Sequence, residues 1–196
     1  MQMILSRLAK NASRIKLMII QQINTSNNDE FYTPTYAVEP ILKYVPKNTT
    51  IWLPFDTPKS KFLELFKARG NKVITTHIDT GTDFFNCPIP NCNYIVSNPP
   101  YSKKLEVFER LFEIDIPFAM LVGVSGLFDS KKKAELFGQN NFEIMYLNPR
   151  VSYHRCIDQT DKPKSPAFQS CYVTSKVLHK QIIFENIYKN TKRGKQ

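Results

Sequence analysis

The sequence predicts an α/β domain in which helices alternate with the strands of a mostly parallel sheet. Seven short runs rich in Val, Ile and aromatic residues are typical of strands, and amphipathic stretches of about ten residues separate several of them. The length of 196 residues, 42% of them apolar, suits a single domain with a sizeable core. In open sheets of this kind, ligands bind beyond the carboxyl ends of the strands, and functional residues are expected there.

Each predicted strand is short and apolar, and Pro, Gly or polar residues bound it. The strands are predicted over residues 50–55, 71–76, 93–97, 117–122, 142–147, 168–174 and 181–184. Helical periodicity indicates helices over residues 36–44, 59–69, 103–113 and 131–137. In the second of these helices Phe62 and Phe66 share one face, and Gly70 is expected to end it.

Charge divides the chain into three segments. Residues 1–28 carry four basic and no acidic groups, residues 29–149 are nearly neutral, and residues 150–196 carry ten basic and three acidic groups, within a net charge of +10. We expect a basic amphipathic helix over 1–28, the folded domain over 29–185 and a basic tail over 186–196. Clustered Lys and Arg suggest a polyanionic partner, although solvated termini give the same pattern.

The sequence also argues against several classes of protein. The longest apolar run near the N-terminus, residues 17–20, is far too short to span a membrane. The four cysteines lack paired CxxC spacing, which favours free thiols, no metal site and a cytoplasmic protein. A zinc site is the alternative, and its four ligands would be Cys87, Cys92, His154 and Cys156.

The motif Asn98-Pro99-Pro100-Tyr101 directly follows the third predicted strand. Its two prolines fix φ and remove two backbone donors, so the carbonyl groups before them project rigidly at the strand end. The carbonyl oxygens of Asn98 and Pro99 can accept both hydrogens of a planar amino group while Tyr101 stacks on the attached ring. Such a cradle would leave the nitrogen lone pair free to attack an electrophilic methyl group. A proline-rich turn capped by Asn98 is the structural alternative.

This motif after a strand resembles the signature of amino-group methyltransferases that use S-adenosylmethionine, above all short DNA adenine-N6 methyltransferases of phages and mobile elements. The resemblance covers about residues 29–175 and implies a class I, Rossmann-like fold with a mostly parallel seven-stranded sheet. It implies that the cofactor S-adenosylmethionine lies against Phe31, Thr33, Pro34, Asp56, Asp79, Asp83 and Phe84, and that Asn98, Pro99, Pro100 and Tyr101 are catalytic. For Asp83, a turn residue is the alternative.

A later loop resembles the segment that lies near the target base in these enzymes. This segment, residues 148–153, contains Arg150 and Tyr153. Together with Arg155, Lys162 and Lys164 further along the chain, these are the candidate nucleic-acid contacts. The four cations are placed to contact phosphates, which gives affinity with little sequence information. For Tyr153, packing is the favoured alternative to recognition.

The chain departs from the family in the loop after the first strand. Residues 54–60 contain two prolines and no glycine, whereas the family has a glycine-rich loop that allows backbone to approach the cofactor. Either Asp56 and Ser60 contact the methionine part of the cofactor through a different loop, or cofactor binding is weak or lost.

The resemblance therefore implies transfer of a methyl group to the exocyclic N6 of adenine in DNA. Adenine-N6 in RNA and the side-chain amide of a protein glutamine are alternative substrates, because both present a planar amino group. A second hypothesis is a catalytically decayed module that binds nucleic acid, and the loop of residues 54–60 is its support.

Overall fold

The structure is a computed structural model, and it describes residues 32–156 and 158–188. The helix predicted over residues 1–28, the predicted cofactor residue Phe31 and residues 189–196 of the predicted basic tail lie outside the described residues. In the part of the chain that is described, no helix has both the length and the apolar character needed to cross a membrane.

A seven-stranded sheet forms the centre of the domain. Its strands are β1 (Thr50–Leu53), β2 (Lys72–Thr75), β3 (Tyr94–Ser97), β4 (Phe118–Gly123), β5 (Glu143–Asn148), β6 (Ser170–Ser175) and β7 (Ile182–Asn186). Their order across the sheet is β2-β1-β3-β4-β6-β5-β7. Every predicted strand run coincides with one of these strands to within about two residues at each end. The α/β class and the seven strands are confirmed.

The sheet is mostly parallel, as expected, but β6 runs antiparallel to both of its neighbours. The pairs β1–β2, β1–β3, β3–β4 and β5–β7 are parallel, whereas β4–β6 and β5–β6 are antiparallel. A parallel connection needs a crossover, usually a helix. The loop 149–169 joins β5 to β6, and its described residues form no helix. Without a crossover, β6 pairs with β5 in the antiparallel direction.

Helices cover both faces of the sheet. They are α1 (Thr35–Leu42), α2 (Lys61–Ala68), α3 (Lys104–Ile114) and α4 (Lys131–Gln139). Successive strand side chains point to opposite faces, so Ile51 and Leu53 pack with α1 and α2 while Trp52 packs with α3 and α4. Gly70 follows α2 with φ +91°, which confirms its predicted role in ending this helix.

The order of the strands creates a topological switch point at β1. After β1 the chain passes through α2 to β2 on one side, whereas β3 lies on the other side of β1. The carboxyl ends of β1 and β3 are therefore adjacent, and the connections that leave them diverge. In open α/β sheets this is the position of the ligand crevice.

The alternative zinc site is not formed. All four cysteines have free thiols. Within residues 32–156 and 158–188, no three side chains of His, Cys, Asp or Glu come close enough together to hold a metal ion.

Candidate active site

The Asn98–Tyr101 turn lies at the carboxyl end of β3, beside β1. Pro99 is buried, Asn98 is partly exposed, and Pro100, with φ −61° and extended backbone, leads into a short 3-10 helix, Tyr101–Lys103. That helix continues directly into α3. The two prolines thus lie where the chain passes from strand to helix at the switch point.

A buried carboxylate joins this turn to the loop after β1. Asp56 is only 7% exposed and accepts hydrogen bonds from the hydroxyl groups of Ser60 and Ser97. Ser60 is also the N-cap of α2, where its Oγ accepts a hydrogen bond from Phe62 N at 3.1 Å. Burial raises the pKa of Asp56 to about 6, although both serine hydroxyls and the charge of His77 favour the ionised form.

The loop of residues 54–60 reaches this position without left-handed backbone. No residue in it, all of them described, has a positive φ. The backbone N–H of Ser60 donates to the carbonyl of Thr57 at 3.0 Å and closes the turn before α2. The expectation that the glycine-free loop follows a different path from a glycine-rich one is consistent with this geometry.

Tyr101 belongs to a chain of hydroxyl groups. Its OH donates to the OH of Tyr153 at 3.3 Å, and Tyr153 OH lies 2.8 Å from Oγ of Ser170 at the start of β6. Burial raises the pKa of Tyr153 to about 12 and that of Tyr101 well above its ordinary value. Both phenols therefore stay protonated at neutral pH and act as hydrogen-bond donors rather than bases.

Two further side chains fix the ring of Tyr101. The ring of Phe168 meets it edge-on, with centroids 5.2 Å apart. Lys104 places its ammonium group 5.4 Å from the Tyr101 centroid and donates to the carbonyls of Gly123 and Ser125, at 3.1 and 2.6 Å. Phe168 occupies space that only a glycine at 123 allows, because a Cβ there would lie 2.7 Å from its ring.

The segment before α1 contacts the loop 149–169, which lies at the carboxyl end of the parallel strands, as the Asn98–Tyr101 turn does. Tyr32 and His154 form an antiparallel bridge, with N···O distances of 3.0 and 3.2 Å. Gln159 Nε2 donates to the carbonyl of Thr33 at 3.1 Å, and Thr33 itself is 7% exposed. The structure thus brings the predicted cofactor residues Thr33 and Pro34 against the loop predicted to contact nucleic acid.

The remaining predicted cofactor residues follow β2. Asp79 lies in the 3-10 helix Ile78–Thr80 with an exposed side chain, and its Oδ2 lies 3.3 Å from His77 Nδ1. Asp83 accepts hydrogen bonds from Phe85 N at 3.1 Å and from Asn86 Nδ2 at 2.7 Å. The carboxylate of Asp83 therefore organises a turn, which was the alternative role for this residue.

The ring of Phe84 is buried behind the site and does not present an exposed face to a ligand. It is 2% exposed, and its ring centroid lies 4.8 Å from that of Phe55 and 5.5 Å from that of Trp52. Arg110 lies over the same ring, with its guanidinium carbon 5.4 Å from the centroid. Phe84 therefore packs against the loop after β1 through its contact with Phe55.

The structure separates the five predicted nucleic-acid residues into two groups. Four of them are exposed on the loop 149–169, which lies at the same end of the strands as the Asn98–Tyr101 turn. They are Arg150, Arg155, Lys162 and Lys164. Tyr153 is 1% exposed and packs in the core, where it holds Tyr101 and Ser170. Packing, the other role considered for Tyr153, is thus what the structure gives it.

Sequence reasoning did not single out Ser97, Lys104, Phe168 or Ser170. Ser97 directly precedes Asn98, so the sequence places it next to the motif. Its hydrogen bond to Asp56, 41 residues earlier in the chain, could not be predicted from a local pattern. Phe168 belongs to a predicted strand, and a strand pattern does not show that this side chain packs on the ring of Tyr101.

Comparisons with known proteins show similarity in structure only. No protein-family model and no curated protein matches the chain. A modification subunit assigned to a type I restriction enzyme from Vibrio vulnificus has a TM-score of 0.56 at 12% identity, covering 94% of this chain and 53% of that chain. This chain therefore spans about half the length of that subunit. The likeness shows the fold alone, and it agrees with the predicted Rossmann-like α/β architecture with a mostly parallel seven-stranded sheet.

Two further solved structures are less similar. A TehB-like S-adenosylmethionine-dependent methyltransferase from Corynebacterium glutamicum has a TM-score of 0.44 at 11% identity, covering 84% of this chain and 97% of that chain. A protein-(glutamine-N5) methyltransferase from Alicyclobacillus acidocaldarius has a TM-score of 0.37 at 15% identity, covering 72% of this chain and 92% of that chain.

Proposed function

We propose that this protein is an S-adenosylmethionine-dependent methyltransferase that methylates the exocyclic N6 amino group of adenine in DNA. The observation that carries this proposal is the position of the Asn98–Tyr101 turn at the carboxyl end of β3, beside the loop after β1. The switch point of an open α/β sheet is where a ligand binds. The same edge carries carbonyl acceptors, an aromatic ring and exposed cations, which suit an amino-bearing base on a polyanion.

The residues around the switch point suit S-adenosylmethionine. Asp79 presents an exposed carboxylate at the end of β2, which can accept hydrogen bonds from ribose hydroxyl groups. Thr33 and Pro34 border the site from the side of α1, and Asp83 and Phe84 hold its wall. When bound, S-adenosylmethionine supplies an electrophilic methyl group.

The chain's own residues position the target nitrogen. The side-chain carbonyl of Asn98 and the backbone carbonyl of Pro99 accept the two N–H groups, and Tyr101 stacks on the base. S-adenosylmethionine held at the switch point would supply the methyl group in exchange for a proton of the amino group, and Asn98 and Pro99 would hold that nitrogen in line while the proton leaves to solvent. This sequence needs no strong base, in agreement with the protonated state of Tyr101 and Tyr153.

The exposed cations of the loop 149–169 favour nucleic acid over a protein glutamine. Arg150, Arg155, Lys162 and Lys164 lie on the edge that holds the catalytic turn. Cations at such positions contact phosphates and fix the register of the duplex. The target base must leave the stack to reach Asn98, which costs about a few kcal/mol.

Methyl transfer from labelled S-adenosylmethionine tests the proposal. Unmethylated DNA, an RNA of the same sequence and a glutamine-containing peptide are offered to the full chain, and the product nucleosides or residues are identified by mass spectrometry. We expect N6-methyladenine in DNA, and a loss of about a hundredfold in rate for Asn98→Ala. Asn140→Ala is the matched control. Asn140 donates to the carbonyl of Leu136 and lies before β5, at the opposite end of the strands from the site. Product in the peptide alone would refute the nucleic-acid assignment.

A further inference from the structure

The hydrogen bonds of Asp56 connect two segments that are far apart in sequence. Ser60 lies in the loop after β1, and Ser97 is the last residue of β3, directly before Asn98. We call Asp56, Ser60 and Ser97 the Asp56 clasp. Ser97 is completely buried, and Asp56 is 7% exposed. Ser60 is partly exposed, so the carboxylate and its bond to Ser97 lie beneath the surface of the site, whereas the Ser60 end of the clasp reaches that surface.

A buried carboxylate is a costly way to connect two loops. Moving an ionised group out of water is unfavourable unless hydrogen bonds or charges compensate for the loss of hydration. Two serine hydroxyls and the electrostatic effect of His77 provide only part of that compensation for Asp56, since burial still raises its pKa. An apolar contact would fill the same space at lower cost, but it would not fix the orientation of the groups it joins.

Orientation is what this position requires. The loop 54–60 contains no glycine and no positive φ, so its path is not defined by a tight glycine turn. The N-cap bond of Ser60 ties the loop to α2, and the bond of Ser97 ties it to the residue that precedes Asn98. Beyond the pairing of β1 with β3, the side chain of Asp56 is thus a direct link between this loop and the residue that precedes the Asn98 turn.

We propose that Asp56 is a positioning residue whose carboxylate sets the cofactor loop and the amino-group cradle at the separation that methyl transfer requires. This inference rests on the proposed function and assigns Asp56 a role different from direct contact with the cofactor. Because the two ends of the clasp serve different ligands, the serines have separable effects. Ser60 supports the loop that borders the methyl donor, and Ser97 supports the residue that holds the methyl acceptor.

Calorimetry with S-adenosylmethionine and single-turnover methyl transfer to DNA test this division. For Ser97→Ala we expect the rate at saturating cofactor to fall about tenfold while the dissociation constant changes less than about twofold. For Ser60→Ala we expect the dissociation constant to rise about tenfold with little change in that rate, and Ser60→Thr, which keeps the hydroxyl, to restore binding. Asp56→Asn should change both quantities.

The matched control is Ser175→Ala. Ser175 is also a buried serine whose hydroxyl donates to a carbonyl, that of Asn141 at 2.9 Å, but it lies at the other end of β6 from the site. We expect it to leave rate and affinity unchanged. Adding Ser97→Ala to Asp56→Asn should cause no further loss of rate, since the bond is already altered. Additive losses, or a full rate for Ser97→Ala, would overturn the inference while the proposed function stands.

A failure of the proposed function has a different signature. If the wild-type chain binds no S-adenosylmethionine, the proposed function falls, and the clasp is then judged from unfolding in denaturant. The changes in unfolding free energy for Asp56→Asn and Ser97→Ala should be non-additive if the two side chains are bonded. Additive changes in that experiment would remove the clasp itself.

Discussion

Replacing Asp56 by asparagine should remove a specific pH dependence from the stability of the fold. Burial raises the pKa of this carboxyl from 3.8 to about 6, so the folded protein binds the proton more tightly than the unfolded chain does. Between about pH 4 and pH 6 the folded state therefore carries more bound protons, and the free energy of unfolding falls as the pH rises. Above about pH 6 the contribution is level.

The magnitude follows from the difference between the two pKa values. Each unit corresponds to about 1.4 kcal/mol, so a shift of about two units corresponds to about 3 kcal/mol at neutral pH. Asp56 is 7% exposed, and water screens this effect very little. The asparagine side chain of the variant cannot ionise, so the variant has no counterpart of this pH-dependent loss. The variant should therefore gain about 3 kcal/mol relative to the wild type between pH 4 and pH 7.

Urea denaturation of both proteins at several pH values from 4 to 8 is the assay. The other carboxyl groups are the same in the two chains, and their contributions cancel in the difference. A difference between variant and wild type that stays constant over this range would refute the reasoning, because it would mean that Asp56 has the same pKa in the folded and unfolded states.

Two other substitutions test the aromatic and the basic parts of the site. Gly123→Ala places a Cβ 2.7 Å from the ring of Phe168, so we expect a loss of about 1–3 kcal/mol in the free energy of unfolding and slower methyl transfer; unchanged stability and rate would show that this packing is unimportant. Lys162→Glu combined with Lys164→Glu should weaken binding to DNA and reduce the slope of log affinity against log salt by about 2 in magnitude, as fluorescence anisotropy would measure. Lys180→Glu, at the opposite edge, should leave that slope unchanged, and equal effects of all three changes would indicate a general charge effect.

The strands could be predicted from the sequence because each is a short apolar run with distinct boundaries. Thr50–Leu53 and Phe118–Gly123 are buried along almost their whole length, which is the pattern of a strand covered on both faces. The direction of β6 was not predictable in the same way. An apolar run shows that a strand exists, whereas its direction depends on whether the preceding loop contains a crossover.

The position of the Asn98–Tyr101 turn at the end of a strand could also be predicted, because the motif directly follows a recognisable apolar run. The side-chain contacts around it could not. Asp56 and Ser97 are 41 residues apart, and Phe168 reaches Tyr101 only because β6 lies next to β4. Such pairs depend on strand order, which no local pattern contains. For Asp83 the local pattern itself is ambiguous. A carboxylate that can accept a hydrogen bond from the backbone N–H two residues later is typical of a turn as well as of a ligand contact.

The central claim is that the switch point binds S-adenosylmethionine in spite of a loop without glycine. Titration of the full chain with S-adenosylmethionine in a calorimeter tests it most directly, with Asp79→Asn as the comparison variant. The account predicts binding of one cofactor per chain in the micromolar range, and at least about tenfold weaker binding for the variant. No measurable binding by the wild-type chain at millimolar cofactor would contradict the account.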